Sequence, residues 1–182
     1  MLRQLAQFRR SESGAVAMEF GLIAPILGVL LIGTIEVCNA LEARQKVVSV
    51  ASTVSDLASQ TKTLSSTDVS NIFSAAGQIM YPFSSTNMGI VVSSVVSDGH
   101  GNGTVAWSES QNATALAANS AVTVPTGLMT SSACAAGACS VILATVTYNY
   151  TSPMGEVIPA SFTMTDYFYS KPRESATVSY TG

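Results

Sequence analysis

The hydrophobic residues of this chain are concentrated near its N-terminus. From Ala15 to Ile35 there are 21 consecutive residues with a single charge, at Glu19. A helix of this length spans about 31 Å, which is roughly the thickness of one bilayer hydrocarbon core. The pattern therefore predicts a transmembrane helix over residues 15–38.

The charges on either side of this segment predict its orientation. Three arginines precede it, whereas the charges that follow it sum to zero. Positively charged flanks stay on the cytoplasmic side, so we expect the N-terminus inside and the chain beyond about residue 40 outside. A secretory signal peptide is disfavoured, because its apolar core has only about 7–15 residues. The charged flanking residues are Arg3, Arg9 and Arg10 before the segment, and Glu36, Glu42, Arg44 and Lys46 after it.

Helical periodicity continues beyond the apolar segment. Residues 36–62 contain no glycine or proline, and their apolar residues recur every three or four positions, as one buried face requires. We predict one long N-terminal helix that is first membrane-spanning and then amphipathic. A short second helix follows, capped by Ser66 or Thr67 and ended at Tyr81-Pro82.

The C-terminal half of the chain has the pattern of β-strands. Residues 141–150 alternate two sets of side chains along one strand, and Asp98 to Gly103 is rich in turn-forming residues. Residues 109–130 are polar and predict no defined element. The prediction is an α+β fold in which an antiparallel sheet of about four strands packs on the long helix, within an outer domain of residues 39–182. The predicted strands are 90–96, 104–108, 141–150, 162–170 and 176–180.

Composition excludes several classes of function. Charged residues make up only 10 % of the chain and the net charge is −3, whereas soluble domains carry about 25 % charged residues. No basic face is available for nucleic acid. His100 is the only histidine, so neither a Cys/His nor a Ser/His/Asp constellation is visible. We expect a protein that is not an enzyme and has no cofactor.

The cysteines indicate an oxidising compartment. Cys134 and Cys139 are separated by four residues that include a glycine, so a disulfide could close a short loop outside the cytoplasm. A metal pair would need further ligands that the sequence does not supply. Cys38 lies at the predicted membrane edge and is expected to be an unpaired packing residue.

One loop has the spacing of a calcium-binding loop. Asp98, His100, Asn102, Gly103 and Glu109 occupy the first, third, fifth, sixth and twelfth positions of such a motif. The segment joins two predicted strands rather than two helices, and histidine is a poor ligand for calcium. We therefore predict no metal site and keep calcium, bound by Asp98, Asn102 and Glu109, as the alternative.

The residues just before the apolar segment have the arrangement of a prepilin leader. A basic, hydrophilic stretch of residues 1–14 ends in Gly14, and a cut there would leave Ala15 as the new N-terminus. Glu19 would become the fifth mature residue, one helical turn from the new α-ammonium, and pairing the two charges would offset the cost of placing a carboxylate in the membrane. A plain uncut transmembrane anchor accounts for the length of the segment but not for Glu19 or the leader.

The same stretch resembles the TadE-like family of pseudopilins, which belong to the tight-adherence (Flp) pilus system of bacteria. The similarity rests on Gly14, on Glu19-Phe20, on Pro25 six residues after Glu19, and on the spacing of Gly33 and Glu36 near the end of the aliphatic stretch. It extends over about residues 10–60. Major Flp pilins are much shorter and usually have Glu-Tyr, so the resemblance implies a minor or assembly subunit with a pilin-like shape.

The resemblance also implies how the chain is processed and what it contacts. A prepilin peptidase would cut between Gly14 and Ala15, with Glu19 and Phe20 as part of the recognised sequence. The chain would lie in the bacterial inner membrane with one span and a periplasmic domain. Its partners would be other pilins or pseudopilins and the pilus assembly platform, in a system of secretion and adhesion. The alternative is an uncleaved single-pass protein whose periplasmic domain binds a partner.

Overall fold

A computed structural model describes residues 13–98, 102–125, 127–129, 139–155 and 161–182 of the chain. The long helix α1 spans Ser13–Ser59 and the second helix α2 spans Ser66–Ile79, followed by a 3-10 turn at Ser85–Asn87. The strands are β1 Thr63–Ser65, β2 Met88–Ser97, β3 Gly103–Gln111, β4 Ala121–Val122, β5 Ser140–Thr151, β6 Ser161–Ser170 and β7 Ser179–Thr181. The α+β class predicted from the sequence is confirmed.

The chain divides into two compact units, and the boundary falls inside α1. One unit contains Met1–Ala40 together with Thr151–Ala160, and the other contains Leu41–Tyr150 together with Ser161–Gly182. α1 has 47 residues and includes Pro25, and its length is about 70 Å. The predicted domain bounds of 15–38 and 39–182 stay predictions, although the boundary at residue 40 lies close to them.

The sheet has five strands in the order β4-β3-β2-β5-β6, where about four were predicted. β2 and β5 form the centre, with Ile90 opposite Val146 and Val92 opposite Ala144. No predicted strand corresponds to β4, a two-residue pair with Gly103 and Thr104 of β3. It lies in the polar stretch for which the sequence pattern indicated no element, because so short a strand leaves no periodicity to detect.

The two faces of β5 are covered by different parts of the second unit. On one face Ile142, Ala144 and Val146 are buried, and α1 approaches this side of the strand, because Ser55 Oγ donates to the Ile142 carbonyl at 3.0 Å. On the other face Val141 and Leu143 form a small core with Val95, Val124 and Met129. Further along this second face the side chains become accessible, and Asn149 is exposed.

The last predicted strand lies outside the antiparallel sheet. Residues 176–180 were expected to join it, but β7 at Ser179–Thr181 pairs in parallel with β1, placing Leu64 opposite Tyr180. No strand was predicted around Leu64. Strands of three residues are too short to show an alternating pattern, and their pairing joins segments more than 110 residues apart.

The cap of α2 differs by one residue from the prediction of Ser66 or Thr67. Ser65 is the N-cap, and its hydroxyl accepts from the Asp68 N–H at 3.2 Å. In return the Ser65 N–H donates to the Asp68 carboxylate at 2.9 Å, which completes a capping box. The hydrogen bonds from the Ser65 backbone and hydroxyl hold the pKa of Asp68 below its ordinary value.

Candidate functional site

The candidate site is the N-terminal part of α1, which we call the inner half and define as residues 16–37. Most of its large hydrophobic side chains are exposed: Met18 is 76 % accessible, Phe20 68 % and Leu27 54 %. Transfer of such surface out of water is favourable. The inner half therefore requires an apolar environment that the described part of the chain does not provide.

The predicted processing residues lie at the start of this helix. Gly14 and Ala15 are in the first turn of α1, which begins at Ser13. Glu19 and Phe20 are exposed one turn further on. Neither of the two ion pairs between described residues involves Glu19. Its carboxylate is available to a cation from outside this unit, and the pairing with the amine of Ala15 stays a prediction that requires the cut chain.

Glu36 differs from Glu19 although both lie on the same apolar segment. Its side chain is buried, with 1 % accessibility. Of the cations that follow it in the sequence, Arg44 pairs with Asp166, and Lys46 Nζ donates to the Ile79 carbonyl at 3.2 Å.

The C-terminal part of α1, which we call the outer half and define as residues 41–59, is a docked helix. Its apolar face is buried within the second unit, and polar contacts hold its C-terminal end. Arg173 forms an ion pair with Asp56 and its N–H donates to the Ser59 carbonyl at 3.0 Å. The amphipathic continuation predicted from the sequence is confirmed. The buried face consists of Ala43, Val47, Val50, Ala51, Val54, Ser55, Ala58 and Ser59.

A cluster that the sequence patterns did not reveal secures the C-terminal strand β7. The only tryptophan, Trp107 on β3, stacks on Tyr180 with ring centroids 5.6 Å apart, and its Nε1–H donates to the Val178 carbonyl at 2.7 Å. Desolvation, the nearby charge of Glu109 and a hydrogen bond to Glu109 raise the pKa of Tyr180. A lone tryptophan on a short strand was the available signal, but nothing in the sequence pointed to its partner 73 residues later.

The calcium candidates are separated by the register of the β2–β3 hairpin. Asp98 closes the turn by accepting from the Asn102 N–H at 3.0 Å and from Asn102 Nδ2 at 3.2 Å. Glu109 lies opposite Val92, six residues along β3 from Gly103, a distance of about 20 Å. Asp98 and Glu109 therefore cannot bind the same ion, and among the described residues no group of three acidic, histidine or cysteine side chains is close enough to hold a metal. His100 lies outside the described residues.

The cysteines are only partly described. Cys38 is a free, exposed cysteine, whereas Cys139 is disulfide-bonded. The predicted partner, Cys134, lies outside the described residues. The pairing of Cys134 with Cys139 stays a prediction.

The fold and the exposed inner half together define a class of protein. Among the residues that the structure describes, one helix is long and apolar enough to cross a membrane. It is followed by an α+β domain with its own core. This arrangement is consistent with a single-pass membrane protein.

Residues 14–56 match the family model described as TadE-like protein. The match covers about a quarter of the chain, begins at the predicted cleavage residue and ends within the outer half of α1, so it includes no strand of the sheet. The TadE-like segment recognised from the sequence is confirmed, and the family it matches is associated with the Tad (tight-adherence) pilus. The family is one of pilus structural and assembly components rather than enzymes. No curated protein and no solved structure matches the chain.

Proposed function

We propose that the chain is a minor pilin or pseudopilin that acts in the assembly of a tight-adherence pilus after a prepilin peptidase has cut it between Gly14 and Ala15. One observation carries the proposal: the family match begins at residue 14, directly before a helix half in which most large apolar side chains are exposed. The cut would leave that helix intact as a membrane anchor and as a surface for packing against other subunits.

The location and partners follow from this role. The chain is held by one span in the bacterial inner membrane, with the α+β domain in the periplasm. The inner half packs against lipid before assembly and against the helices of other pilins or pseudopilins afterwards. Glu19 is the residue that couples the two states, because a carboxylate in an apolar surrounding needs a cation, and the cut supplies an α-ammonium at Ala15.

The cut is tested by measuring the N-terminus of the purified protein by mass spectrometry. Cells with an active prepilin peptidase should yield chains that begin at Ala15. Gly14→Val should block the cut, because the peptidase needs a small residue there. Gly21→Val is the matched control, since an added Cβ meets no atom within 4 Å at either glycine and both variants should fold. Recovery of chains that begin at Met1 from wild-type cells would favour the uncleaved, partner-binding alternative.

The role of Glu19 is tested separately from the cut. Glu19→Ala should be processed yet fail to support pilus assembly, because the residue acts after processing. Glu42→Ala, an exposed carboxylate on the outer half of the same helix, should leave assembly unchanged. Normal piliation of the Glu19→Ala strain, counted by electron microscopy, would contradict the charge-pairing role while leaving the cut in place.

A further inference from the structure

β6 is an edge strand of the five-stranded sheet. Its sheet neighbour is β5, and no other described strand borders it. Over its ten residues, Ser161–Ser170, it carries one charge, at Asp166. Tyr167 and Phe168 are 60 % and 43 % accessible. A long, exposed edge of this composition is a template on which another strand can pair.

The middle of this edge is occupied by an ion pair. Arg44 Nη2 lies 3.0 Å from Asp166 Oδ2, and Arg44 Nη1 donates to the Thr165 carbonyl at 3.0 Å. The other carboxylate oxygen of Asp166 accepts from the Tyr167 N–H at 2.8 Å. One ion pair thus binds a backbone acceptor and a backbone donor that lie two residues apart.

These two backbone groups lie on the free side of the strand. Residues two apart point their N–H and C=O groups to the same side of a strand, so Thr165 and Tyr167 share one side. The Cys139 carbonyl accepts from the Ser97 N–H of β2, so the odd-numbered residues of β5, such as Thr147, direct their backbone groups to β2. Thr165 lies beside Thr147, with the two hydroxyl oxygens 3.5 Å apart, and its backbone groups therefore point away from β5, where Arg44 meets them from α1. A pairing strand would have to hydrogen-bond these same groups, so it must displace the Arg44–Asp166 pair.

We propose that the Arg44–Asp166 ion pair is an edge lock, which prevents β6 from pairing with β6 of a second copy of this chain. The second copy is the occupant because the edge is self-complementary. Antiparallel pairing about a two-fold axis at Thr165 places Thr163 opposite Tyr167 of the second copy, and threonine–aromatic neighbours of this kind suit paired strands. Asp166 is the only charged residue of β6, and its carboxylate would repel the same carboxylate of a second copy. When the ion pair opens, this carboxylate can move away from the edge. The inference does not depend on cleavage or on the proposed pilus role.

The test compares self-association of the full chain in detergent micelles by sedimentation velocity. The edge-lock variant is Arg44→Met with Asp166→Ser. Its matched control is Asp56→Ser with Arg173→Met, which removes the other ion pair of α1 without touching β6. We expect the edge-lock variant to form dimers with an apparent dissociation constant lower by about tenfold or more than that of wild type and control, a factor that a few strand hydrogen bonds supply.

Two further measurements decide whether the dimer uses β6. Adding Thr165→Pro to the edge-lock variant should return the dissociation constant to that of wild type, because proline is tolerated on an edge but cannot donate to a pairing strand. Hydrogen exchange should show protection of residues 161–170 that rises with protein concentration only in the edge-lock variant. If circular dichroism shows that the double variant is unfolded, the single variant Arg44→Met, which keeps the aliphatic part of the side chain, replaces it in these measurements.

Three results would overturn the edge lock. The first is equal self-association of wild type, control and edge-lock variant. The second is a dimer that persists with Thr165→Pro. The third is concentration-dependent protection of residues 161–170 in the wild-type chain, which would mean that the edge pairs while the lock is intact.

Discussion

The two halves of α1 are one continuous helix but have opposite relations to the residues around them. In the inner half, residues such as Phe20 and Leu27 are exposed, whereas in the outer half Val47, Val50 and Val54 are fully buried. Helix propensity does not distinguish them, because packing rather than propensity stabilises most helices. The inner half is therefore suited to an environment supplied from outside, and the outer half to its own sheet.

A charged residue introduced into each half of α1 should change membrane insertion, with the largest and most unequal effects of the substitutions considered. Leu27→Asp puts a carboxylate near the centre of the predicted span, which disfavours insertion by about 3 kcal/mol. Val48→Asp, on the exposed side of the outer half, should insert normally. The measurement is the fraction of chain that resists alkaline extraction from membranes. Equal extraction of the two variants would mean that the inner half does not span a bilayer.

Truncating a valine in each half should separate domain stability from membrane packing. Val50→Ala removes two buried methyl groups and should lower the free energy of unfolding of the domain by about 2 kcal/mol. Val29→Ala, whose side chain is exposed, should leave that free energy unchanged. Denaturant unfolding of the full chain in detergent, followed by Trp107 fluorescence, measures both. A loss of stability in Val29→Ala as large as in Val50→Ala would erase the distinction between the halves.

A smaller effect should come from the hydrogen bond between the outer half and the sheet. Ser55 is fully buried and donates to Ile142, whereas Ser52 is partly accessible and donates to Ser49 of its own helix. Ser55→Ala should cost about 1–2 kcal/mol, because the buried carbonyl loses its side-chain donor. Ser52→Ala should cost much less in the same unfolding experiment. The hydrogen bond contributes nothing if the two alanine variants have equal stability.

The smallest effect concerns the capping box that starts α2, and it depends on pH. Ser65→Ala should cost about 1 kcal/mol near neutral pH. Because the pKa of Asp68 is lower in the folded chain than its ordinary value of 3.8, its contribution is present above that value. It is lost as the pH falls through the lowered pKa. Unfolding free energies of wild type and Asp68→Ala should therefore converge in acid. A difference that stays constant down to about pH 2 would contradict the predicted loss of the Asp68 contribution.

Much of the fold could be predicted because its signals are local. The alternation of β5 and the three- to four-residue spacing of the outer half each reflect one strand or one helix. β4 and the β1–β7 pair could not be predicted, since two or three residues carry no period. The partners of Arg44 escaped prediction for a different reason: Thr165 and Asp166 lie more than 120 residues away, and only the folded sheet brings them to the helix.

The candidate site likewise contains residues that could be predicted from the sequence and residues that could not. Gly14, Ala15, Glu19 and Phe20 could be selected from the sequence because they form one contiguous motif before an apolar run. The calcium spacing was equally contiguous, yet the hairpin register separates Asp98 from Glu109. A linear motif indicates a site when its residues share one turn or one helix, and fails when a strand carries them apart.

The hydrogen bond between Ser55 and Ile142 also fixes an order of events while the chain is being made. Synthesis releases the N-terminus first, and the surface that covers the outer half comes from residues 87 positions later. During that interval the apolar side of residues 43–58 has no cover from its own sheet. Non-local contacts of this kind form slowly, so under the proposed function the new chain is expected to need a temporary apolar shelter, which a bilayer surface beside the proposed anchor would provide.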